Sequence, residues 1–276
     1  MNLSDLLDRP QALPSAPGIV QELINSFEDE SVSLQDISRK IAADQVLTAK
    51  LLRLANSAHY HASRTVSTVD QAIVMLGFVA VRTLVISTGL TGSFKAIQGF
   101  NLQHFWRYSL QTAVVAKWLA KKSHQNVDLA FTAGLMHGIG QLIMHAGMPE
   151  QCLEIDKIAD PWSARRIEIE KNSFGYHYGT VSAELAKKWN FPADFVTVIA
   201  SAAEPLLNEP INPTAVIIHL AAWFARAQKN ALTVEEMRDI FPTETASALH
   251  LTFDDINDEM PSLDELCDGL DELIMD

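Results

Sequence analysis

Cysteine is scarce in this sequence, and long apolar runs are absent. The 276 residues include only Cys152 and Cys267, which are too far apart for a disulfide framework or a cysteine-based zinc site. No run approaches the ~18 consecutive apolar residues that a membrane-spanning helix needs. The N-terminus also lacks the basic stretch followed by an apolar stretch that marks a secretory signal. We therefore expect a soluble cytoplasmic protein that does not associate with membranes.

Basic residues are too few to make a cationic surface. The chain has 21 Lys and Arg against 34 Asp and Glu, a formal net charge of -13. Much of the excess falls in residues 254–276, which hold ten carboxylates and neither Lys nor Arg. Non-specific nucleic-acid binding depends on cationic groups that release counterions from the phosphate backbone. The composition therefore argues against a nucleic-acid partner.

The sequence shows neither strand-like alternation nor a fixed-period repeat, and its apolar residues recur at helical spacing almost throughout. Pro17 suits the first position of one helix, and Ser33 and Asp44 suit the N-caps of the next two. Gly77 suits a helix C-terminus. We predict an all-α fold. Further helices are predicted at 34–43, 69–76, 78–94, 102–122, 129–145, 163–172, 181–189, 193–202 and 213–229.

Nine histidines invite a test for a metal site. A helix that binds a metal places its ligands three or four residues apart, and no two of the nine histidines have that spacing. His137 and His145 are eight residues apart in sequence, which separates them by ~12 Å along a straight helix. The spacing of the histidines therefore does not by itself predict a metal site.

A helix-turn-helix arrangement across residues 34–58 would place four basic side chains near one another: Lys50, Arg53, His59 and Arg64. The second helix, however, uses several leucines for packing. Its start carries Asp44 rather than a cluster of base-reading side chains. We favour two core helices with a local basic rim over a DNA-binding element.

Three N-terminal segments of this chain resemble the HDOD family of bacterial signalling domains, which are related to the HD-type metal phosphohydrolases. These segments are LPSAPGIVQELINSFED, SLQDISRKIAADQVLTAKLLRLANSAHY and STVDQAIVMLGFVAVRTLV. The likeness continues through FWRYSL, GLMHGIGQLIM and AELAKKWNFP to about residue 225. It implies a helical N-terminal lobe at 13–95 and an HD-like helical bundle lobe at 96–250, joined by a linker near 92–101. An extension at 1–12 and an acidic tail at 251–276 would flank them.

Active HD enzymes hold metal through scattered His and Asp residues, and this sequence departs from that pattern at nearly every position. His137 is retained, but Gly138 stands where the family has the first Asp and Ala222 where it has the last. The resemblance implies that other ligand histidines are replaced by Tyr108, Tyr178, Ala202 and Ala203. Mg²⁺ and Mn²⁺ prefer hard oxygen ligands, and both carboxylates are missing. We therefore expect that the protein binds no metal ion or other cofactor, and that packed side chains fill the vestigial pocket.

The resemblance implies a non-catalytic signal-transduction protein that acts through contacts with signalling proteins, whose identity the sequence leaves open. No receiver, cyclase or phosphodiesterase region is expected to be attached. In one alternative, His104, His177 and His219 rebuild a metal site and the protein is a metal-dependent phosphohydrolase. In another, the vestigial pocket near Tyr108 and His137 binds a nucleotide, such as a cyclic dinucleotide, without cleaving it.

Two features outside the pocket carry expectations. Asn56 follows a predicted helix, where an asparagine amide can cap the backbone in left-handed geometry, so we predict a structural role for it. Leu263, Leu266, Leu270 and Leu273 fall on one face of an ~11-residue helix. A helix of this length is marginal in water. We predict that it docks on the second lobe with its acids in solvent; a free partner-binding helix is the alternative.

Overall fold

The computed structural model describes residues 2–9, 34–56, 65–93, 97, 99–268 and 270. The helix predicted from Pro17, the predicted cap Ser33 and the last tail leucine, Leu273, lie outside the described residues, as does part of the predicted linker. The chain forms two compact units. The larger unit consists of Met1–Leu13, Ala96–Lys188 and Ala193–Leu266, and the smaller of Pro14–Lys95, Trp189–Pro192 and Cys267–Asp276.

All regular elements in the described part of the chain are helices, which confirms the predicted all-α fold. A short 3₁₀ turn at Pro205–Leu207 accompanies them. The α-helices are α1 (Leu3–Leu7), α2 (Leu34–Ala42), α3 (Gln45–Ala55), α4 (Val69–Ser93), α5 (Leu102–Lys122), α6 (Val127–Met136), α7 (Ile139–Gly147), α8 (Pro149–Asp156), α9 (Arg166–Phe174), α10 (Tyr178–Lys188), α11 (Ala193–Ser201), α12 (Pro213–Lys229), α13 (Val234–Asp239), α14 (Thr243–Ser247), α15 (Phe253–Asn257) and α16 (Leu263–Cys267).

Local capping and a leucine stripe define α3 in the smaller unit. Asp44 caps this helix as predicted, because its Oδ1 accepts hydrogen bonds from the backbone N–H groups of Val46 (2.9 Å) and Leu47 (3.0 Å). Leu47, Leu51 and Leu54 recur on one face and are almost fully buried. Burial of a leucine side chain contributes about 1.5–3 kcal/mol. This face of α3 is therefore committed to packing.

Helix α4 is kinked at Gly77, where φ is 77° and ψ is 162°. Residues other than glycine rarely adopt such a positive φ. No atom lies within 4 Å of the position that a Cβ would take, so the backbone conformation rather than crowding selects glycine here. The predicted helix end at Gly77 is confirmed, and a second helical stretch continues to Ser93.

The two long helices of the larger unit, α5 and α12, begin and end at the predicted residues. Each starts at an asparagine cap: Asn101 Oδ1 accepts from the His104 N–H at 2.9 Å, and Asn212 Oδ1 accepts from the Ala215 N–H at 3.1 Å. Helix α5 packs on both α6 and α12. A Cβ on Gly134 of α6 would lie 2.8 Å from Ala113 Cα of α5, so glycine permits this close approach.

The prediction of a single helix at 129–145 is wrong, because the helix is interrupted at His137 and Gly138, between α6 and α7. In a continuous helix the His137 carbonyl would accept from the Gln141 N–H. Instead, Gln141 N donates to the Gly138 carbonyl (2.9 Å), and the Ser182 hydroxyl lies 2.8 Å from the His137 carbonyl.

The Val127–Gly147 stretch is apolar enough to cross a membrane, but 83% of its most apolar segment is buried within the protein, as expected of a core helix.

The two ends of the described chain pack on the larger unit. Leu6 and Leu7 of α1 are buried, and Arg9 Nη1 donates to the Gly147 carbonyl at 2.6 Å. At the other end, Phe253 of α15 is buried with its ring 5.4 Å from the ring of Phe241. The first residues of the predicted extension and tail therefore contribute to the packing of this unit.

The described helix of the acidic tail is shorter than predicted. It runs from Leu263 to Cys267, and Asp268 and Leu270 lie in turns. Leu263 is buried, whereas Leu266 and Leu270 are half-buried. Two of the tail carboxylates are exposed, as expected, and form ion pairs with basic residues outside the tail. These ion pairs are Lys122–Glu259 (2.7 Å) and Arg238–Asp254 (2.6 Å).

Asn56 connects the end of α3 to the chain that enters α4. Its Nδ2 donates to the carbonyls of Leu52 (2.7 Å) and Val66 (2.8 Å), and its Oδ1 accepts from the Val66 N–H at 2.8 Å. The residue has φ -96° and ψ 4°, so it does not use the left-handed geometry that asparagine tolerates at a helix end, and its amide binds backbone groups. Two of the three hydrogen bonds join Asn56 to Val66.

We predict that Asn56→Leu lowers the free energy of unfolding by roughly 1–3 kcal/mol, because backbone groups of Val66 and Leu52 lose their partners. Asn56→Asp retains the acceptor but not the donor, and should cost less. Urea titration of the three proteins tests this order. An unchanged midpoint for Asn56→Leu would show that these hydrogen bonds do not stabilise the fold.

Candidate functional site

Two cavities in the larger unit bring together all seven positions predicted for the vestigial pocket. The main cavity has a volume of about 520 Å³, within the range of small-molecule sites. The minor cavity, of about 10 Å³, has room for one water at most. His137, Tyr178 and Arg226 line both. The main cavity is also lined by Ala202, Ala203 and Ala222, and the minor cavity by Tyr108 and Gly138.

The break between α6 and α7 is fixed by Ser182 of α10. The Ser182 hydroxyl accepts from the Gly140 N–H at 2.8 Å and lies 2.8 Å from the His137 carbonyl and 2.9 Å from the Tyr178 carbonyl. A Cβ on Gly140 would lie 2.0 Å from the Tyr178 carbonyl oxygen. Glycine therefore lets α7 and α10 approach closely enough for one hydroxyl to hold His137 and Tyr178 side by side.

His137 is held as a neutral imidazole. Its Nδ1 lies 2.7 Å from the Gly134 carbonyl, and because a carbonyl can only accept, Nδ1 carries the hydrogen. Desolvation by burial is the largest cause that lowers the pKa of His137, to about 4, and the positive charge of Arg226 lowers it further. Near neutral pH, Nε2 therefore has a free lone pair and can accept a hydrogen bond.

Tyr108 and Arg226 form the other wall of the minor cavity. The Tyr108 hydroxyl donates to the Ala222 carbonyl at 3.4 Å, and Arg226 Nη1 donates to that hydroxyl, also at 3.4 Å. The Tyr108 ring packs beside the rings of His137 and Trp162, with centroid distances of 5.5 and 5.0 Å. Sequence reasoning missed Arg226, because it lies one helical turn beyond Ala222 and belongs to no motif.

A buried carboxylate joins the helices around the cavities. Glu170 of α9 accepts from Arg166 Nε (2.7 Å), from Gln141 Nε2 of α7 (2.8 Å) and from the Tyr178 N–H at the start of α10 (2.7 Å). Arg166 and Glu170 are both 0% exposed. Desolvation raises the pKa of Glu170, and Arg166 is the largest influence that lowers it. The i,i+4 spacing of Arg166 and Glu170 was the available sequence signal for this pair.

The alternative site built from three other histidines does not form. His104 is exposed on α5. His177 Nδ1 accepts from the Gly179 N–H at 3.1 Å, and His219 Nδ1 donates to the Ala202 carbonyl at 3.1 Å. Within the described ranges, no three His, Cys, Asp or Glu side chains converge in a way that could hold a metal ion. Of the three, only His219 lines the main cavity.

The residues at the vestigial site do not fit the divalent metal ion that active HD enzymes bind. Gly138 and Ala222 supply no carboxylate, and His137 Nε2 is the one imidazole nitrogen with a free lone pair at these seven positions. A divalent cation needs several oxygen or nitrogen donors. The guanidinium of Arg226 also lines both cavities, and its positive charge opposes a second cation.

The fold and this pocket define the class: an all-helical protein with cavities at the positions that the resemblance assigns to the metal ligands of HD enzymes. The family profile of the HDOD domain matches residues 13–205. The chain therefore belongs to the HDOD family, as its sequence resemblance predicted. A curated relative, an uncharacterized protein of Treponema pallidum (strain Nichols), is 23% identical over 198 residues, which is 71% of this chain. The chain spans 38% of that relative's length.

Two similar crystal structures carry different functional descriptions. One protein, from Shewanella amazonensis SB2B, is described as a "putative phosphohydrolase". It is 28% identical, with a TM-score of 0.74, and the match covers 99% of this chain and 97% of that one. The other, from Marinobacter aquaeolei VT8, is described as a "putative signal transduction protein". It is 20% identical, with a TM-score of 0.71, and the match covers 100% of this chain and 62% of that one.

We predict that Glu170→Gln lowers the free energy of unfolding by about 1.5–3 kcal/mol, because the buried Arg166 loses its charged hydrogen-bond partner Glu170 and keeps only Asp156, 2.5 Å away, as a counter-ion. The matched control is Glu154→Gln, which breaks the Glu154–Lys157 pair (2.5 Å) at side chains that are 71% and 69% exposed. Exposed pairs contribute little, so the control should be nearly neutral. Equal urea midpoints for the two variants would contradict a structural role for Glu170.

We predict that the protein loses stability as the pH falls from about 6.5 to 4. Over this range the unfolded chain binds a proton at His137 that the folded chain does not, because the folded pKa is lowered to about 4. The loss from this residue is on the order of 3 kcal/mol at the acid end. His177 and His219 have pKa values lowered in the same direction. Denaturant unfolding at several pH values measures the free energy of unfolding of the wild type and of His137→Asn. This free energy should fall less steeply with falling pH in the variant, and parallel curves of free energy against pH would exclude the contribution of His137.

Proposed function

We propose that this chain is a non-catalytic HDOD signalling domain that acts through contacts with other proteins and retains a degenerate HD site. The observation that carries the proposal is the donor set of that site. One neutral imidazole, two tyrosines and three alanines stand where an HD enzyme needs several metal ligands. A guanidinium occupies the same cavities. Without a metal ion, no bound water is converted to hydroxide near neutral pH.

The descriptions of similar proteins are consistent with either signalling or hydrolysis, so the side chains must decide between them. The Shewanella protein is similar in fold over nearly its whole length, but a shared fold does not transfer an activity. Carboxylates and histidines at individual positions make an HD site catalytic, and this chain lacks them at Tyr108, Gly138, Tyr178 and Ala222. This difference supports signalling over phosphohydrolysis.

We predict that the purified protein contains no stoichiometric Mn, Fe or Ni and does not hydrolyse phosphodiesters or nucleotides. Elemental analysis, followed by assays with each metal added, tests both parts. A combined variant with Tyr108→His, Gly138→Asp, Tyr178→His and Ala222→Asp is the positive control, because it restores the missing ligand types. Stoichiometric metal in the wild type, with turnover abolished by His137→Ala, would overturn the proposal.

The signalling part of the proposal is tested by recovering the full chain from its own cells under native conditions. We expect a signalling protein that co-purifies at a reproducible stoichiometry and rebinds when both components are purified. A chain that elutes alone at every stage, with no component that rebinds, would count against action through protein contacts.

A further inference from the structure

The charge on Arg226 lacks a carboxylate partner in the described part of the chain. Its one hydrogen bond there is to the neutral Tyr108 hydroxyl, at 3.4 Å. A guanidinium carries five N–H donors in a planar arrangement that matches phosphate and carboxylate oxygens. Arg226 is half-buried and lines both the main and the minor cavity. Its unused donors are therefore available to an anion in the main cavity.

The other charged residues that line the main cavity are Glu168, Lys171 and Glu204. Lys171 is paired with Glu204, so the two charges compensate each other. Glu168 is exposed, and its negative charge disfavours a further anion at that side. His177 lies 3.9 Å from Glu204, while neutral His137 and His219 add no charge near neutral pH. Arg226 is thus the uncompensated cation of the cavity, and one anionic group satisfies it.

Two neutral groups beside Arg226 can each accept a hydrogen bond. His137 Nε2 has a free lone pair, because Nδ1 is bonded to the Gly134 carbonyl. Gln141 Oε1 is buried without a partner, and Gln141 lines the minor cavity. A buried acceptor without a partner costs free energy, which a water or a ligand donor removes. The main cavity thus combines one anion contact, Arg226, with one acceptor for a hydroxyl or amino hydrogen, His137 Nε2, whereas Gln141 Oε1 faces the minor cavity.

Apolar side chains make up much of the remaining lining of the main cavity. Its walls include Ile199, Ile218 and Trp223 together with the alanines at the lost ligand positions. A volume of about 520 Å³ is too large for inorganic phosphate alone and suits an organic molecule of nucleotide size. The substitution of ligand side chains by alanine has therefore left space, contrary to the expectation of a pocket filled by packing.

We propose that the main cavity binds a phosphate monoester of nucleotide size, with Arg226 holding the phosphate and His137 Nε2 accepting a hydrogen bond from the organic part. This inference depends on the proposed function only in that the ligand is held and not cleaved. A single uncompensated cation favours one phosphate group over the two of a cyclic dinucleotide. In this arrangement Arg226 provides the positive charge that a metal provides in an HD enzyme.

The test measures binding of four probes to the full chain by calorimetry: GMP, guanosine, inorganic phosphate and cyclic di-GMP. We expect GMP to bind at least tenfold more tightly than each of the others, because it alone combines one phosphate monoester with an organic part that fits the cavity. AMP and ribose 5-phosphate serve as further monoesters, so that the identity of the organic part is not assumed. Failure of all three monoesters to bind at millimolar concentration, or tighter binding of cyclic di-GMP, would overturn the proposal.

Three variants localise the binding. Arg226→Gln removes the charge and should weaken binding of the best monoester at least tenfold, whereas Arg226→Lys keeps a charge and should restore part of the affinity. Arg107→Gln is the control, because it removes an exposed arginine on α5 outside the cavity lining and should change affinity less than twofold. Equal affinities for Arg226→Gln and Arg107→Gln would overturn the assignment. If Arg226→Gln does not fold, the test uses Arg226→Lys. The assignment would then be overturned if Arg226→Lys bound the best monoester no more tightly than the wild type binds guanosine.

Recovery of the ligand separates this inference from the proposed function. Incubation of the best monoester with the protein, followed by chromatography, should return it intact. Binding that depends on Arg226, together with release of inorganic phosphate that His137→Ala abolishes, would overturn the non-catalytic function and leave the binding site standing. Intact ligand with binding that is insensitive to Arg226 would overturn the site and leave the non-catalytic function standing.

Discussion

The buried carboxylate of Glu170 is the constraint on which the cavity depends. A charge in the protein interior is costly unless it is paired and hydrogen-bonded, and Glu170 meets this requirement with donors from three helices. One of them is the first N–H of α10, so the same carboxylate also fixes where that helix begins. Tyr178 stands at that position and lines both cavities, and Gln141 lines the minor cavity. The geometry of the pocket therefore follows from the way one buried charge is satisfied.

The second determinant of the site is its positive charge, which a guanidinium provides here and a metal ion provides in an HD enzyme. A metal ion needs carboxylates and imidazoles around it, whereas a guanidinium carries its charge covalently and needs acceptors. Gly138 and Ala222 have lost the carboxylates, and Arg226 provides a charge in the same cavities. Its field also helps to keep His137 neutral.

Much of the fold was predictable because helix ends are set by nearby residues. Asp44 and Gly77 marked helix boundaries correctly, and the limits of α5 and α12 were predicted to the residue. The site was predictable only as a set of positions, and only through resemblance to a family. That these positions would line an open cavity depends on side-chain volumes and helix spacing, which no local pattern specifies.

Periodicity, helix caps and residue identity are local properties, so the sequence was enough to predict the all-helical class and the family. The interruption at His137 and Gly138 depends on tertiary structure, because a hydroxyl from Ser182, 45 residues later, takes the place of a helical hydrogen bond. Tertiary structure also surrounds Glu170 with donors from three helices and leaves Arg226 without a carboxylate partner among the described residues. Each of these depends on which distant groups meet in the folded chain, since the free energy of a buried polar group is set by its partners.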